Sequence, residues 1–229
     1  MAGLEIPAKR ELHIWRWLFS LVLVIALAAC AWYAYRWYTT GEEPPLPILP
    51  VSALAPKVDE SAITPKQLDD YRVPATHPRY ISIPSIGVTK SRVLSVGENE
   101  FGNLETPYNL NDTAWYNKSA TPGTGYGAVM IDGHNGGYSK DGIFAKLSTI
   151  QTGALITIER GDGKTFSYKV VSNQTMSLDE ANKTGMQTMT QSADPNKEGL
   201  SLITCAGNYV PKLGQFDKRV MVRAVRTDS

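Results

Sequence analysis

The feature that most constrains this chain is a run of 19 residues, Trp17 to Tyr35, that contains no Asp, Glu, Lys or Arg and is closed at both ends by arginine, Arg16 and Arg36. As a helix it would rise about 28 Å, close to the hydrocarbon thickness of a bilayer. Trp15 and Trp17 at one end, with Trp32, Tyr33, Tyr35, Trp37 and Tyr38 at the other, suit the two interfacial belts, and Lys9, Arg10 and Arg16 precede the run. The expected organisation is a cytoplasmic N-terminus over 1–16, one transmembrane anchor over 17–38, and the rest of the chain on the outer side of the membrane. Two cleavage readings compete with an uncleaved anchor. Ala26-Leu27-Ala28 suits a signal peptidase, and Leu27-Ala28-Ala29-Cys30 resembles a lipobox that would lipidate Cys30. The aromatic residues beyond Cys30 favour the uncleaved anchor, because they suit a membrane interface better than the polar tether of a mature lipoprotein.

Between Thr39 and Thr76 the chain carries Pro44, Pro45, Pro47, Pro50, Pro56, Pro65 and Pro74 with little periodicity, which predicts an extended spacer over 39–76 that holds the remainder off the membrane. Residues 77–229 are enough for one well-cored domain and leave no room for a second enzymatic one. Beyond Tyr38 there are 19 basic and 20 acidic residues, and no basic stripe, which argues against nucleic acid as a partner.

Within 77–229, short segments rich in β-branched and aromatic residues recur at 80–83, 88–96, 127–132, 155–159, 165–171, 201–204 and 219–225. Their spacing predicts a mainly β fold, a single antiparallel or mixed closed β-barrel with short helices and long loops. Leu155–Glu159 and Thr165–Val171 flank Arg160-Gly161-Asp162-Gly163 and read as a hairpin whose glycines supply positive φ. Ser177-Leu178-Asp179-Glu180 matches a capping box that opens a short helix, and Lys140 to Leu147 is a second helix candidate. The rest of Ser172 to Gly199 is polar and reads as a long loop, one wall of a groove.

Cys205 ends the apolar run Ser201-Leu202-Ile203-Thr204, and the other cysteine, Cys30, lies in the anchor, so no disulfide framework exists and the thiol calls for another role. His134 and Arg219 also stand at expected strand ends, where a base and an oxyanion stabiliser can converge on a nucleophile. Taken singly, each residue has a plainer reading. Cys205 is a buried small hydrophobe, His134 fills a glycine-flanked turn, His77 is structural, and Arg219 and Arg223 are solvated ends of a terminal strand. Alternation puts both arginines on one face, so spacing alone does not choose between them. With one cysteine and two histidines beyond the anchor, no zinc-type ligand set is apparent.

Together these residues resemble the sortases, membrane-anchored cysteine transpeptidases of Gram-positive bacteria. Ser201-Leu202-Ile203-Thr204-Cys205 resembles their T-L-x-T-C signature, with Ser201 in place of Thr. Gly133-His134 resembles their histidine site, and Lys218-Arg219-Val220-Met221-Val222-Arg223-Ala224 resembles the arginine strand that closes their barrel. Pro78 to Val88 and Trp115-Tyr116 with Pro122-Gly123 are more similar to class D, E and F members than to class A or B, which points to a class F-like or unclassified branch. The resemblance implies that Cys205 attacks the Thr-Gly carbonyl of an LPXTG-like sorting signal, His134 protonates the departing amine, and Arg219 holds substrate or oxyanion, with Ser201, Ile203 and Thr204 contributing to substrate binding. The implied partners are LPXTG-like sorting-signal proteins and a cell-wall precursor or pilin amine that resolves the thioacyl enzyme. The acidic calcium-binding set of some class A members has no match, so no metal and no cofactor is expected.

Attack needs a thiolate while leaving-group protonation needs an imidazolium. With ordinary pKa values of about 8.5 and 6.5, uncoupled groups at pH 7 would be about 3% thiolate and about 24% imidazolium, so under ~1% of molecules would carry both. Either coupling raises that fraction or the enzyme is slow. A sortase-like hydrolase, a pilin polymerase, and a membrane-tethered β-barrel binding module without chemistry remain as alternatives.

Overall fold

The computed structural model describes residues 12–45, 58–137 and 139–227. Lys9 and Arg10 of the charged N-terminus, and Pro47, Pro50 and Pro56 of the spacer, lie outside the described residues.

Helix α1, Leu12–Thr40, contains the uncharged run and is long and apolar enough to cross a membrane, with none of its span buried against the rest of the chain. Its last turn nevertheless meets the domain. The Lys212 N–H donates to the Tyr38 carbonyl at 3.1 Å, and Gly41, at φ +70°, lies so close beneath the Tyr209 carbonyl that any side chain would collide with it. The chain leaves its helix directly against the domain, so the expectation of a stand-off at this point is corrected.

The domain is a closed eight-stranded barrel in the order β1-β2-β3-β4-β7-β8-β6-β5. The strands are β1 Pro78–Ile83, β2 Val88–Val96, β3 Thr113–Tyr116, β4 Ala128–Gly133, β5 Leu155–Arg160, β6 Thr165–Ser177, β7 Gly199–Val210 and β8 Gln215–Arg226. Two of the joins, β2 to β3 and β4 to β7, are parallel and the others antiparallel, so the barrel is mixed. Alternation along each strand fills the interior with Ile81, Trp115, Ile131, Ile156, Tyr168, Leu202 and Val222, all at most 2% exposed.

The β5–β6 hairpin forms as expected, with Leu155 opposite Lys169 and Glu159 opposite Thr165. Only Gly163 takes a positive φ, +82°; Gly161 has a different reason to be glycine, because a Cβ there would strike the carbonyls of Val73 and Pro74. The helix expected over 140–147 is instead a run of turns leading to one 3₁₀ turn, Leu147–Thr149. The long loop expected over 172–199 is largely ordered: β6 runs on to Ser177, whose Oγ accepts the Glu180 N–H at 3.2 Å, and a helical cap follows as Leu178–Glu180, a π turn Ala181–Gly185, and Met186–Met189. The cap buries Ala181, Gly185 and Met189, a stripe at i, i+4, i+8.

The second half of the spacer is no spacer. Thr64 caps helix α2, Pro65–Asp69, in a reciprocal capping box with Gln67. Tyr71 Oη then donates to the Val93 carbonyl at 2.7 Å, and Arg79 Nε to the Tyr71 carbonyl at 2.9 Å. Upstream, the segment from Val58 to Ser61 straps down two loops: Asp59 pairs with Asn109, and Glu60 accepts from the Ser139 N–H at 2.9 Å.

Candidate active site

The β4–β7 ladder places each β4 residue opposite the β7 residue 71 positions later, ending with Asp132 opposite Ile203. The same spacing separates Gly133 from Thr204, whose Oγ1 donates to the Gly133 carbonyl at 2.6 Å, and His134 from Cys205. On its other side β7 pairs with β8, and there Cys205 stands directly opposite Arg219. Histidine, cysteine and arginine thus form one row across three adjacent strands, just past the end of β4 and inside β7 and β8, so the expectation that all three stand at strand ends is corrected for Cys205 and Arg219. All three line one cleft of about 650 Å³.

Alternation decides which way the row faces. Ile131, Leu202 and Val220 point into the barrel, whereas Met130, Ile203 and Met221 belong to a second apolar cluster outside it, beneath the cap. Cys205 and Arg219 share the outer face with Ile203 and Met221. That cluster holds Met130, Met176, Met186, Met189 and Met221, which is every methionine except Met1. The floor beside the thiol is therefore built of soft, unbranched side chains that repack readily.

The Cys205 thiol and the His134 imidazole are both shifted toward their uncharged forms. Burial pushes the Cys205 thiol up, Arg219 opposes that rise, and Asp132 adds to it. Burial lowers the His134 pKa, partly opposed by the Pro107 carbonyl. That carbonyl lies 2.6 Å from Nε2 and can only accept, so Nε2 carries the proton and Nδ1 is left as the basic nitrogen. Arg219 is anchored by its own turn, donating to the Phe216 and Lys218 carbonyls at 2.9 and 2.8 Å and to Gln215 Oε1 at 2.9 Å.

Asp132 is the residue that sequence reasoning missed. It lies two positions before His134 on the same face, is 8% exposed, and its carboxyl is pushed up to about 7 by burial, against the pull of the Gly133 amide and Arg219. The signal was the same alternation that placed His134. Pro107 and Tyr108 were also missed. They belong to a loop that the Val58–Ser61 strap holds over the cleft, through the Asp59 N–H to the Tyr108 carbonyl at 3.1 Å and Asn109 Nδ2 to Asp59 Oδ2 at 3.0 Å.

The expected substrate-binding trio is corrected. Ser201, Ile203 and Thr204 are 1%, 5% and 2% exposed, so none offers a surface to a peptide. Thr204 ties β7 to β4, Ile203 floors the site, and Ser201 faces Arg223 beneath the cap. Arg223 donates to the Gln191 carbonyl at 3.0 Å and stands two rows from the thiol, which removes the ambiguity between the two arginines. His77 packs edge-on against Trp115 at 4.8 Å. Among the described residues no group of three His, Cys, Asp or Glu side chains is arranged to hold a metal ion.

A family model described as the sortase domain matches residues 81–227. No curated protein matches the sequence. Among solved structures, a lid mutant of sortase A from Corynebacterium diphtheriae is similar at 26% identity and a TM-score of 0.50, over 72% of this chain and 77% of that one. Sortase C from Streptococcus pneumoniae matches at 15% identity and a TM-score of 0.51, over 75% of this chain and 76% of that one. A pilus-related sortase C of Group B Streptococcus matches at 19% identity and a TM-score of 0.50, over 74% and 75%.

Proposed function

The chain belongs to the sortase family, and on that premise we propose that it is a membrane-anchored transpeptidase in which Cys205 cuts an LPXTG-like sorting signal between Thr and Gly and passes the acyl group to a cell-envelope amine. The observation that carries the reading is the single row of His134, Cys205 and Arg219 facing one cleft.

Each side chain has a role that follows from its surroundings. The thiol gives its proton to His134 Nδ1, while the Pro107 carbonyl at Nε2 favours the resulting imidazolium and fixes the ring. The thiolate attacks the threonine carbonyl, and the positive charge of Arg219 stabilises first the thiolate and then the oxyanion. The imidazolium protonates the departing glycine amine as the carbon–nitrogen bond breaks, leaving a thioester on Cys205. An incoming amine repeats the steps in reverse and restores the thiol. Because burial holds the resting pair uncharged, ion-pair formation belongs to the barrier of every turnover, and substrate that excludes water while bringing polar groups lowers it.

Helix α1 supplies the anchor, and the domain faces outward, where sorting-signal proteins and wall-precursor or pilin amines meet it. The test is intact mass of the full-length protein in detergent after incubation with a panel of LPXTG-type peptides, with and without glycine or lysine. A Cys205-dependent adduct that amine converts into ligated product is expected. Release of acid alone, whatever amine is added, would make the chain a hydrolase; an inert thiol and no adduct would make it a binding module.

A further inference from the structure

Cys205 opens on two sides. A second cavity, of about 280 Å³, shares Cys205 and Asn135 with the large cleft but excludes His134 and Arg219, and it is lined by Asp141 and Lys146. Between the two run the segments 134–137 and 139–142. They are closed on each other by the Phe144 N–H to the His134 carbonyl at 2.9 Å, the Gly142 N–H to the Asn135 carbonyl at 3.1 Å and the Gly137 N–H to the Lys140 carbonyl at 2.8 Å. Gly142 passes so close to the His134 carbonyl that no side chain fits there, which is what lets the segments pack this tightly. The strap adds a clamp from outside, with Ser139 Oγ donating to Glu60 Oε2 at 2.5 Å. One small, braced element therefore presents a histidine to one side of the sulfur and a carboxylate to the other.

A peptide bond cut at Cys205 has two sides as well. The acyl portion stays on the sulfur, the amine portion leaves, and by microscopic reversibility the acceptor amine enters where the leaving amine departed. The large cleft, with Arg219, has room for the acyl-side peptide. The small cavity has the size of an amino-acid residue or two, and both its charged side chains are exposed and outside any ion pair among the described residues.

The geometry points to this second cavity as the acceptor site, taking a primary amine that carries a nearby carboxylate, with the ammonium toward Asp141 and the carboxylate toward Lys146. The assignment rests on the transpeptidase reading above. In the step it serves, the bound ammonium first loses a proton to solvent. The amine nitrogen then bonds to the thioester carbon, the carbon–sulfur bond breaks, and a nitrogen proton ends on the Cys205 sulfur, carried by His134. Asn135, which borders both cavities, stands at the crossing point.

Full-length wild type, Asp141→Asn and Lys146→Gln, in detergent, would be compared with an LPXTG-type peptide panel as donor and glycine or glycinamide as acceptor. Acylation is read from the adduct mass without amine, and acceptor use from the ratio of amide to hydrolysed product. Acylation should be unchanged. Asp141→Asn should raise the concentration needed of both amines about fivefold, the factor an exposed charge pair gives. Lys146→Gln should do so for glycine only, lowering the glycine-over-glycinamide preference about fivefold. Unchanged acceptor dependence in both variants, or acylation falling in step with acceptor use, overturns the site. Absence of any Cys205 adduct in the wild type would instead overturn the transpeptidase reading.

Discussion

Cys205 and Arg219 face each other directly across the β7–β8 ladder, and the guanidinium is held there by the carbonyls of Phe216 and Lys218 and by Gln215 Oε1. Its charge pulls the Cys205 pKa down against burial. Arg219→Ala should therefore slow alkylation of Cys205 by iodoacetamide at pH 7 and reduce peptide acylation by about 10² to 10³. Arg219→Lys, which keeps charge but loses the fork, should recover more of the alkylation than of the acylation. Equal rates in wild type and Arg219→Ala would refute the electrostatic role.

Asp132 sets a pH window. Its folded carboxyl titrates at about 7 against a reference value of 3.8, so between those values the folded chain holds a proton that the unfolded chain has lost. The folded state then binds more protons, and stability falls as pH rises through the window, by about 4 kcal/mol at most. Asp132→Asn should match the wild type in thermal melts at pH 4 and exceed it at pH 8. The same change removes a negative charge facing the thiol, so the alkylation profile should move to lower pH. A wild-type melting curve flat from pH 4 to 8 would sink the account.

Asn109 is the buckle of the strap, donating at 3.0 Å to both Asp59 Oδ2 and the Ser61 carbonyl. Asn109→Ala should cost about 0.5–1.5 kcal/mol in chemical denaturation, the net worth of a lost hydrogen bond, because the Ser61 carbonyl keeps Asn111 Nδ2 as a donor at 3.0 Å. It should also free the Pro107 loop and speed modification of Cys205. Loss of stability with no change in thiol access would show that the strap braces the barrel without guarding the cleft.

Two glycines should respond oppositely to alanine. At Gly185 the new methyl meets the ends of Met176 and Met221, which can move, and helix propensity gains offset the adjustment, so the change should stay within about 1 kcal/mol. At Gly161 it meets the carbonyls of Val73 and Pro74, which cannot, and a loss of about 2–4 kcal/mol is expected. Denaturation midpoints of the pair compare them directly.

The parts of this fold that were legible are those where period and burial agree. The seven expected segments fall on strands apart from Gly127, but of the three site residues only His134 stands at a strand end, just past β4. Cys205 and Arg219 lie inside β7 and β8, which run on beyond the site and were read too short because Ala206 to Asn208 and Gln215 to Lys218 carry no apolar alternation. β3 was missed because four residues, Thr113-Ala114-Trp115-Tyr116, carry too little alternation to register, and its parallel join to β2 has no local signature. The cap was read as loop because its buried stripe is Ala181, Gly185 and Met189, two of them too small to look apolar. Thr64-Pro65-Lys66-Gln67 was a readable capping box hidden in a proline-rich run. Asp132 was visible in the same strand pattern as His134, but a carboxylate ending an apolar strand reads as a solvated edge until burial is known.

The parallel join of β4 to β7 has a consequence in time. A parallel ladder cannot zip from a tight turn; its two strands meet only after the intervening chain, with β5, β6 and the cap, has been looped back. Contacts this far apart in sequence are slow to form. Cys205 and His134 therefore become neighbours late, and until the barrel shuts the thiol has neither the burial nor the Arg219 charge that set its pKa in the folded chain. Closure of the barrel, rather than synthesis of Cys205, is the event that sets the sulfur opposite Arg219 and beside the end of β4.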